Sequence, residues 1–266
     1  MGKVVSALAV AGAVVGFGVF PASAGTEKIP QAAPADAAEH ENTAVAMHTG
    51  EPGYVLLSIA GRNVKWGEGR PGAGAIVRYA FVTAETERPD AVNCRTLTPI
   101  GDQLPRSKLS QSDFADELRR AMDDWSTVAD IRFRPTSDPA TADLLIGGDK
   151  DARGIAYADV TRDKTAGKSF AAISRAAVCF NLGLAWEDRF DGDAATPNVR
   201  YVAAHELGHV LGLDHAWGHD KLMRFQYEER FQSPQPADIA GAAFLYGPRP
   251  AATGSYALIR DISAKP

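Results

Sequence analysis

The chain has 266 residues, 45% of them apolar and 23% charged, the balance of a globular protein with a true core rather than a disordered one. A formal net charge of −5, with no block of lysine and arginine anywhere, excludes nucleic acid as the main partner. The length suits one domain of moderate size with extensions at its ends.

Residues 1–24 read as an export signal. Lys3 gives a short positive start, Val4 to Phe20 is apolar, and Ala22-Ser23-Ala24 is a small-residue cleavage site. A membrane anchor is the rival reading. The stretch is short against the roughly 20 apolar residues of a bilayer span and is rich in Gly and Ala, so cleavage is expected. The mature protein is then secreted and extracellular, with no stable membrane association. Export also makes Cys94 and Cys179 readable as a bridge, since they are an even count in an oxidising compartment.

Residues 25–62 read as a flexible leader or short propeptide. Up to residue 50 they are rich in Ala, Pro and acidic side chains, without helical or alternating period. His40 and His48 lie there as solvated side chains, and Tyr54 to Ala60 could form a strand of such a leader. The main domain is expected over 63–250, followed by a tail at 251–266.

Within that domain Ala75 to Val82 is a strand by its β-branched and aromatic content. Ser110 or Ser112 can cap a following helix on which Phe114, Leu118, Met122 and Trp125 form one apolar face. Ile131 and Phe133 alternate with Arg132 and Arg134 as a half-buried strand. Ala142 to Ile146, Gly154 to Val160 and Ala171 to Phe180 read as three more. Thr196 followed by Pro197 marks a helix start, and Val199, Ala203, Leu207 and Val210 give that helix a buried stripe.

On this helix lies the stretch with chemistry in it, His205-Glu206-Leu207-Gly208-His209-Val210-Leu211-Gly212-Leu213-Asp214-His215. Residues four apart on an α-helix lie within about 40° of each other, so His205 and His209 share a face. Such a pair can hold one Zn²⁺, with Glu206 beside them to handle a water proton. Gly212 tolerates the left-handed backbone that ends helices, so the chain can turn there and bring His215 to the same ion. Three histidines leave one exchangeable position, the catalytic rather than the structural arrangement.

This HExxHxxGxxH pattern, with Leu222-Met223 after it, resembles the metzincin zinc endopeptidases of the matrixin (matrix metalloproteinase-like) branch. The run from Ser233 to Gly247 is similar to that branch's closing helix. The resemblance implies an α+β fold of the zincin type: a twisted, mixed, mostly parallel five-stranded sheet with three helices. It implies one catalytic Zn²⁺ on His205, His209 and His215, Glu206 as general base, and Met223 as an apolar floor. Its substrates would be proteins and peptides, held along the fourth strand as an antiparallel edge. It also offers a rival for the cysteines, a thiolate reaching the zinc in a latent form. Cys94 lies within the domain, however, and lacks the latency motif.

The chain departs from the pattern in places. The turn Gly148 to Arg153 has no histidine, so no second, structural zinc is expected there. Asp149, Asp151, Glu187, Asp188, Asp191 and Asp193 could offer oxygens to Ca²⁺, but their spacing fits no defined calcium loop, so solvated acidic loops are the favoured reading. Phe225 stands where other metzincin branches place a zinc-reaching tyrosine, and Tyr227 is a candidate for the wall of the specificity pocket. Two rivals remain for the whole reading. One is a thermolysin-like metallopeptidase with Glu228 or Glu229 as third ligand. The other is a secreted, non-catalytic zinc-containing binding or adhesion protein.

Overall fold

The computed structural model describes residues 15–16, 53–101, 104, 107, 109–164, 170–193 and 195–250. In chain order its strands begin with β1 (Val15–Gly16), β2 (Val55–Leu56), β3 (Ser58–Ile59), β4 (Arg62–Lys65), β5 (Ala75–Phe81), β6 (Thr86–Glu87) and β7 (Thr96–Leu97). Helix α1 (Gln111–Val128) follows, then β8 (Ile131–Pro135), β9 (Leu144–Asp149), β10 (Ala156–Arg162) and β11 (Phe170–Asn181). The chain continues through α2 (Val199–Leu211), β12 (Leu213–Asp214) and α3 (Pro236–Tyr246). Apart from Val15–Gly16, the expected signal, the leader to residue 52 and the tail at 251–266 lie outside the described residues.

The five strands expected from sequence form the body of the main sheet, in the order β10-β11-β9-β5-β8. Neighbours from β11 to β8 run parallel, and β10 is antiparallel to β11. The mixed α+β class and the three helices are as the resemblance implied. Shorter strands extend the sheet. β1 lies antiparallel on the outer side of β10, with Val15 opposite Ala158 and Gly16 opposite Tyr157. β4 runs parallel to the start of β11, with β3 folded antiparallel against it.

Side-chain alternation along β5 splits the core in two. Val77 and Tyr79 point into the large cluster beneath the helices, while Ala80 and Val82 join a small one with Cys94, Leu97, Leu145 and Cys179. Cys94 and Cys179 are bonded there, Cα atoms 5.7 Å apart and 85 residues apart in sequence. The bond pins the loop carrying β6 and β7 to the C-terminal end of β11. The rival thiolate reading is thereby excluded, since both sulfurs are spent.

α1 begins at Ser110, whose Oγ accepts from Asp113 N at 3.2 Å while Ser110 N donates to Asp113 Oδ2 at 3.0 Å, a reciprocal cap. The expected start of α2 at Thr196-Pro197 is two residues early. Pro197 O accepts from Glu187 N at 3.2 Å, which holds this segment against the preceding loop, and Asn198 takes the cap by accepting from Tyr201 N at 2.9 Å. α2 is buried on nearly every side, as a helix crossing a core must be. Trp125 Nε1 donates to Ala204 O and Trp66 Nε1 to Val210 O, both at 2.8 Å, and Tyr246 Oη donates to Leu211 O at 2.6 Å. On its exposed side Arg200 forks onto Asp124 of α1 at 3.0 and 2.8 Å.

Closing a loop of this size should stabilise the fold by about 4–5 kcal/mol on the chain-entropy model. The double variant Cys94→Ala/Cys179→Ala should therefore lose most of that amount in chemical denaturation. An unchanged midpoint would show that the bond carries no stability.

Candidate active site

Two elements and the turn between them bring the imidazoles together. His205 and His209 project from α2, and His215 follows β12 directly. Between them Gly212 ends the helix at φ 99°, a left-handed conformation in which a side chain is strained. A Cβ at this position would also overlap the carbonyl oxygen of Val64. The turn is anchored from outside by the segment that sequence placed in the leader. Leu57 N donates to Gly212 O at 2.8 Å, and β2 pairs antiparallel with β12, Leu56 opposite Leu213. Leu57 and β2 thus hold the turn that leads to His215.

The rings converge closely. Nε2 of His209 is 3.2 Å from Nε2 of His205, which is 3.3 Å from Nε2 of His215. The other nitrogens of the first two rings are spoken for: His205 Nδ1 donates to Leu222 O at 2.7 Å and His209 Nδ1 to Leu213 O at 2.8 Å. A carbonyl can only accept, so these bonds place the hydrogen on Nδ1 and leave a lone pair on each Nε2. Lone pairs facing one another at this distance repel unless a cation lies among them. Burial pushes the pKa of all three rings down, His215 to about 4, so protonation does not supply that cation at neutral pH. The donor set fits zinc.

Glu206 is fully buried beside them, and neither carboxylate oxygen has a hydrogen-bond partner of ordinary geometry. Burial raises its pKa well above the usual glutamate value, weakly opposed by the backbone amide of Ala158 on β10. A buried carboxylate left this way is costly for a fold and available for proton transfer.

Met223 lies beneath the helix, made possible by a residue that sequence reading passed over. A Cβ on Gly208 would overlap Met223 Sδ, so this glycine lets the methionine reach the helix axis. The turn holding Met223 is fixed by Asp238 of α3, whose carboxylate accepts from Leu222 N at 2.8 Å and Met223 N at 3.2 Å. Asp238 also accepts from Gln235 N at 2.8 Å, so one buried carboxylate serves both the helix cap and the floor of the site. An acid at the third position of a Pro-initiated helix was the available signal.

The remaining candidates fall elsewhere. Glu228 pairs with Arg224, His219 and Arg230, and Glu229 accepts from Gly192 N and Tyr227 Oη, so neither replaces His215 as the thermolysin-like reading requires. Tyr227 is tied to the start of α2, its Oη accepting from Asn198 N at 3.1 Å and its ring packed 5.1 Å from that of Tyr201. Among the described residues the acidic loops bring no three carboxylates to a common point; the three histidines are the one such cluster of possible metal-binding side chains.

A deep metal-type triad on a zincin-like sheet defines the class, and comparison with known proteins gives the family. Residues 100–247, more than half of the chain, match the model of the matrixin family (peptidase M10), and the chain belongs to that family. It is similar to the hatching enzyme of Paracentrotus lividus, 32% identical over 155 residues, 53% of this chain and 24% of that protein. It is similar to metalloendoproteinase 1-MMP of Arabidopsis thaliana, 31% identical over 150 residues, 53% of this chain and 40% of that protein. Against matrilysin of Mus musculus it is 26% identical over 190 residues, 68% of this chain and 67% of that protein. The matches to the first two relatives span less than half of their lengths.

Gly212→Ala tests the turn. Left-handed strain and the overlap with Val64 O should together cost about 2 kcal/mol or more. Thermal melting should fall by several degrees, and a parental melting point would mean that the turn is not constrained as described.

Proposed function

We propose that the protein is a secreted zinc-dependent endopeptidase that cuts peptide bonds of other proteins. One observation carries the reading: three imidazole Nε2 atoms meet at one point, and Glu206, next to the first of them in the chain, has a fully buried carboxylate with no hydrogen-bond partner of ordinary geometry. His205, His209 and His215 would hold a single zinc ion. When bound, such an ion supplies Lewis-acid polarisation of carbonyl and water oxygens. Glu206 takes the proton of the attacking water on a carboxylate oxygen and delivers it to the amine nitrogen of the departing half. Its burial favours the protonated form that this transfer passes through. Met223 and the packing of α2 hold the histidines still, so little reorganisation is needed during the reaction.

An extended peptide would lie antiparallel along β10, whose backbone contributes affinity with little sequence preference. The pairing of Val15–Gly16 on that edge supports its competence to accept such a strand. Signal cleavage after Ala24 would remove those residues and free the edge. Exported protein should therefore begin at Gly25 or later by intact mass, and retention of Met1 would contradict export by cleavage.

Glu206→Ala separates catalysis from binding. It removes no metal ligand and relieves a costly buried carboxylate, so zinc content should match the parent and melting should be no lower. Hydrolysis of an unfolded protein should drop by about 10²–10⁴-fold, the usual cost of a lost general acid–base. Near-parental cleavage would refute the role of Glu206. A zinc-loaded parent that cuts no peptide would instead favour a non-catalytic binding protein.

A further inference from the structure

We propose that Phe225 is a positioning residue that fixes the imidazole of His215 by ring packing, where the other two histidines use hydrogen bonds. This rests on the reading of His205, His209 and His215 as zinc ligands. The contrast within the triad is the starting point. His205 and His209 sit on a helix, and each is locked by an Nδ1 donation to a backbone carbonyl. His215 sits on irregular chain after β12, and among the described residues its Nδ1 reaches no carbonyl. The bond from its backbone N to Asp214 Oδ1, at 2.7 Å, orients the main chain and does not itself hold the ring.

The ring has three aromatic neighbours. Two are the other histidines, with centroids 4.7 Å and 5.3 Å away, and their lone pairs face the same centre. The third is Phe225, 4.9 Å away and nearly perpendicular at 87°. Edge-to-face geometry is the favoured arrangement of aromatic pairs, so it holds an angle as well as a distance. Phe225 is itself placed by the Met223 turn, because Ala216 N donates to Met223 O at 2.8 Å and so ties the segment after His215 to the segment before Phe225. The residues that flank Phe225 in the chain, Arg224 and Gln226, are joined by a hydrogen bond of 2.6 Å from Arg224 Nη2 to Gln226 Oε1. Core filling does not account for this phenylalanine, which is 52% exposed. Its truncation should leave the fold intact while releasing the third ligand.

The experiment compares parent, Phe225→Ala and Phe225→Trp. It reads zinc affinity by competition with a chelator, the visible spectrum of the cobalt-substituted protein, and melting of the zinc-free form. Phe225→Ala should weaken zinc binding about tenfold, within the range found when outer partners of metal ligands are removed, and should alter the cobalt spectrum. Its zinc-free melting should match the parent. Phe225→Trp, which keeps an aromatic face without a group that can bind metal, should restore most of the affinity. Parental affinity and spectrum in Phe225→Ala would overturn the proposal. So would a loss of affinity matched by an equal loss of zinc-free stability, which would make the role merely structural. A parent that binds no zinc would instead overturn the reading of the triad itself.

Discussion

Two hydrogen bonds decide what the site can be: Nδ1 of His205 to Leu222 O, and Nδ1 of His209 to Leu213 O. Each uses up one nitrogen of a buried imidazole and turns the other toward a shared centre. The acceptors lie beyond the helix, one in the turn that holds Met223 and one at the strand leading to His215. The helix is therefore correct only when both following segments are docked. Much of the rest of the molecule serves that docking: Gly212 turning the chain, β2 pairing with β12, and Asp238 gripping the amides of Leu222 and Met223.

The depth of α2 follows from the same constraint. Neutral histidines with fixed tautomers need a dry surrounding, and Trp125, Trp66 and Tyr246 provide one while donating to the helix carbonyls. Each of these rings is an apolar body with one polar hydrogen, suited to packing against backbone without leaving a donor unpaired. The same burial leaves the Glu206 carboxylate without a hydrogen-bond partner of ordinary geometry, a cost that the fold carries at the point where proton transfer would occur.

The parts of this arrangement legible in the sequence were those encoded locally. The spacing of His205, His209 and Gly212 is a property of one helix and its end, and alternation or β-branching marked the five strands of the sheet body. What escaped was encoded at long range. Val55 and Leu56 carry no sign that they will pair with Asp214 and Leu213. Gly208 reads as a weak helix residue until Met223 is seen beneath it. Thr196-Pro197 has the chemistry of a helix start, but pairing with Glu187 claims it and Asn198 caps instead. A pairwise competition of this kind is invisible along the chain.

The central claim is that three imidazoles, and no other protein group, meet at one metal. X-ray absorption at the zinc edge of the metal-loaded protein tests it most directly. The expected spectrum has first-shell nitrogen and oxygen at about 2.0–2.1 Å, with the outer-shell scattering of three imidazole rings. Sulfur in the first shell, or scattering from only two rings with a carboxylate in place of the third, would contradict it.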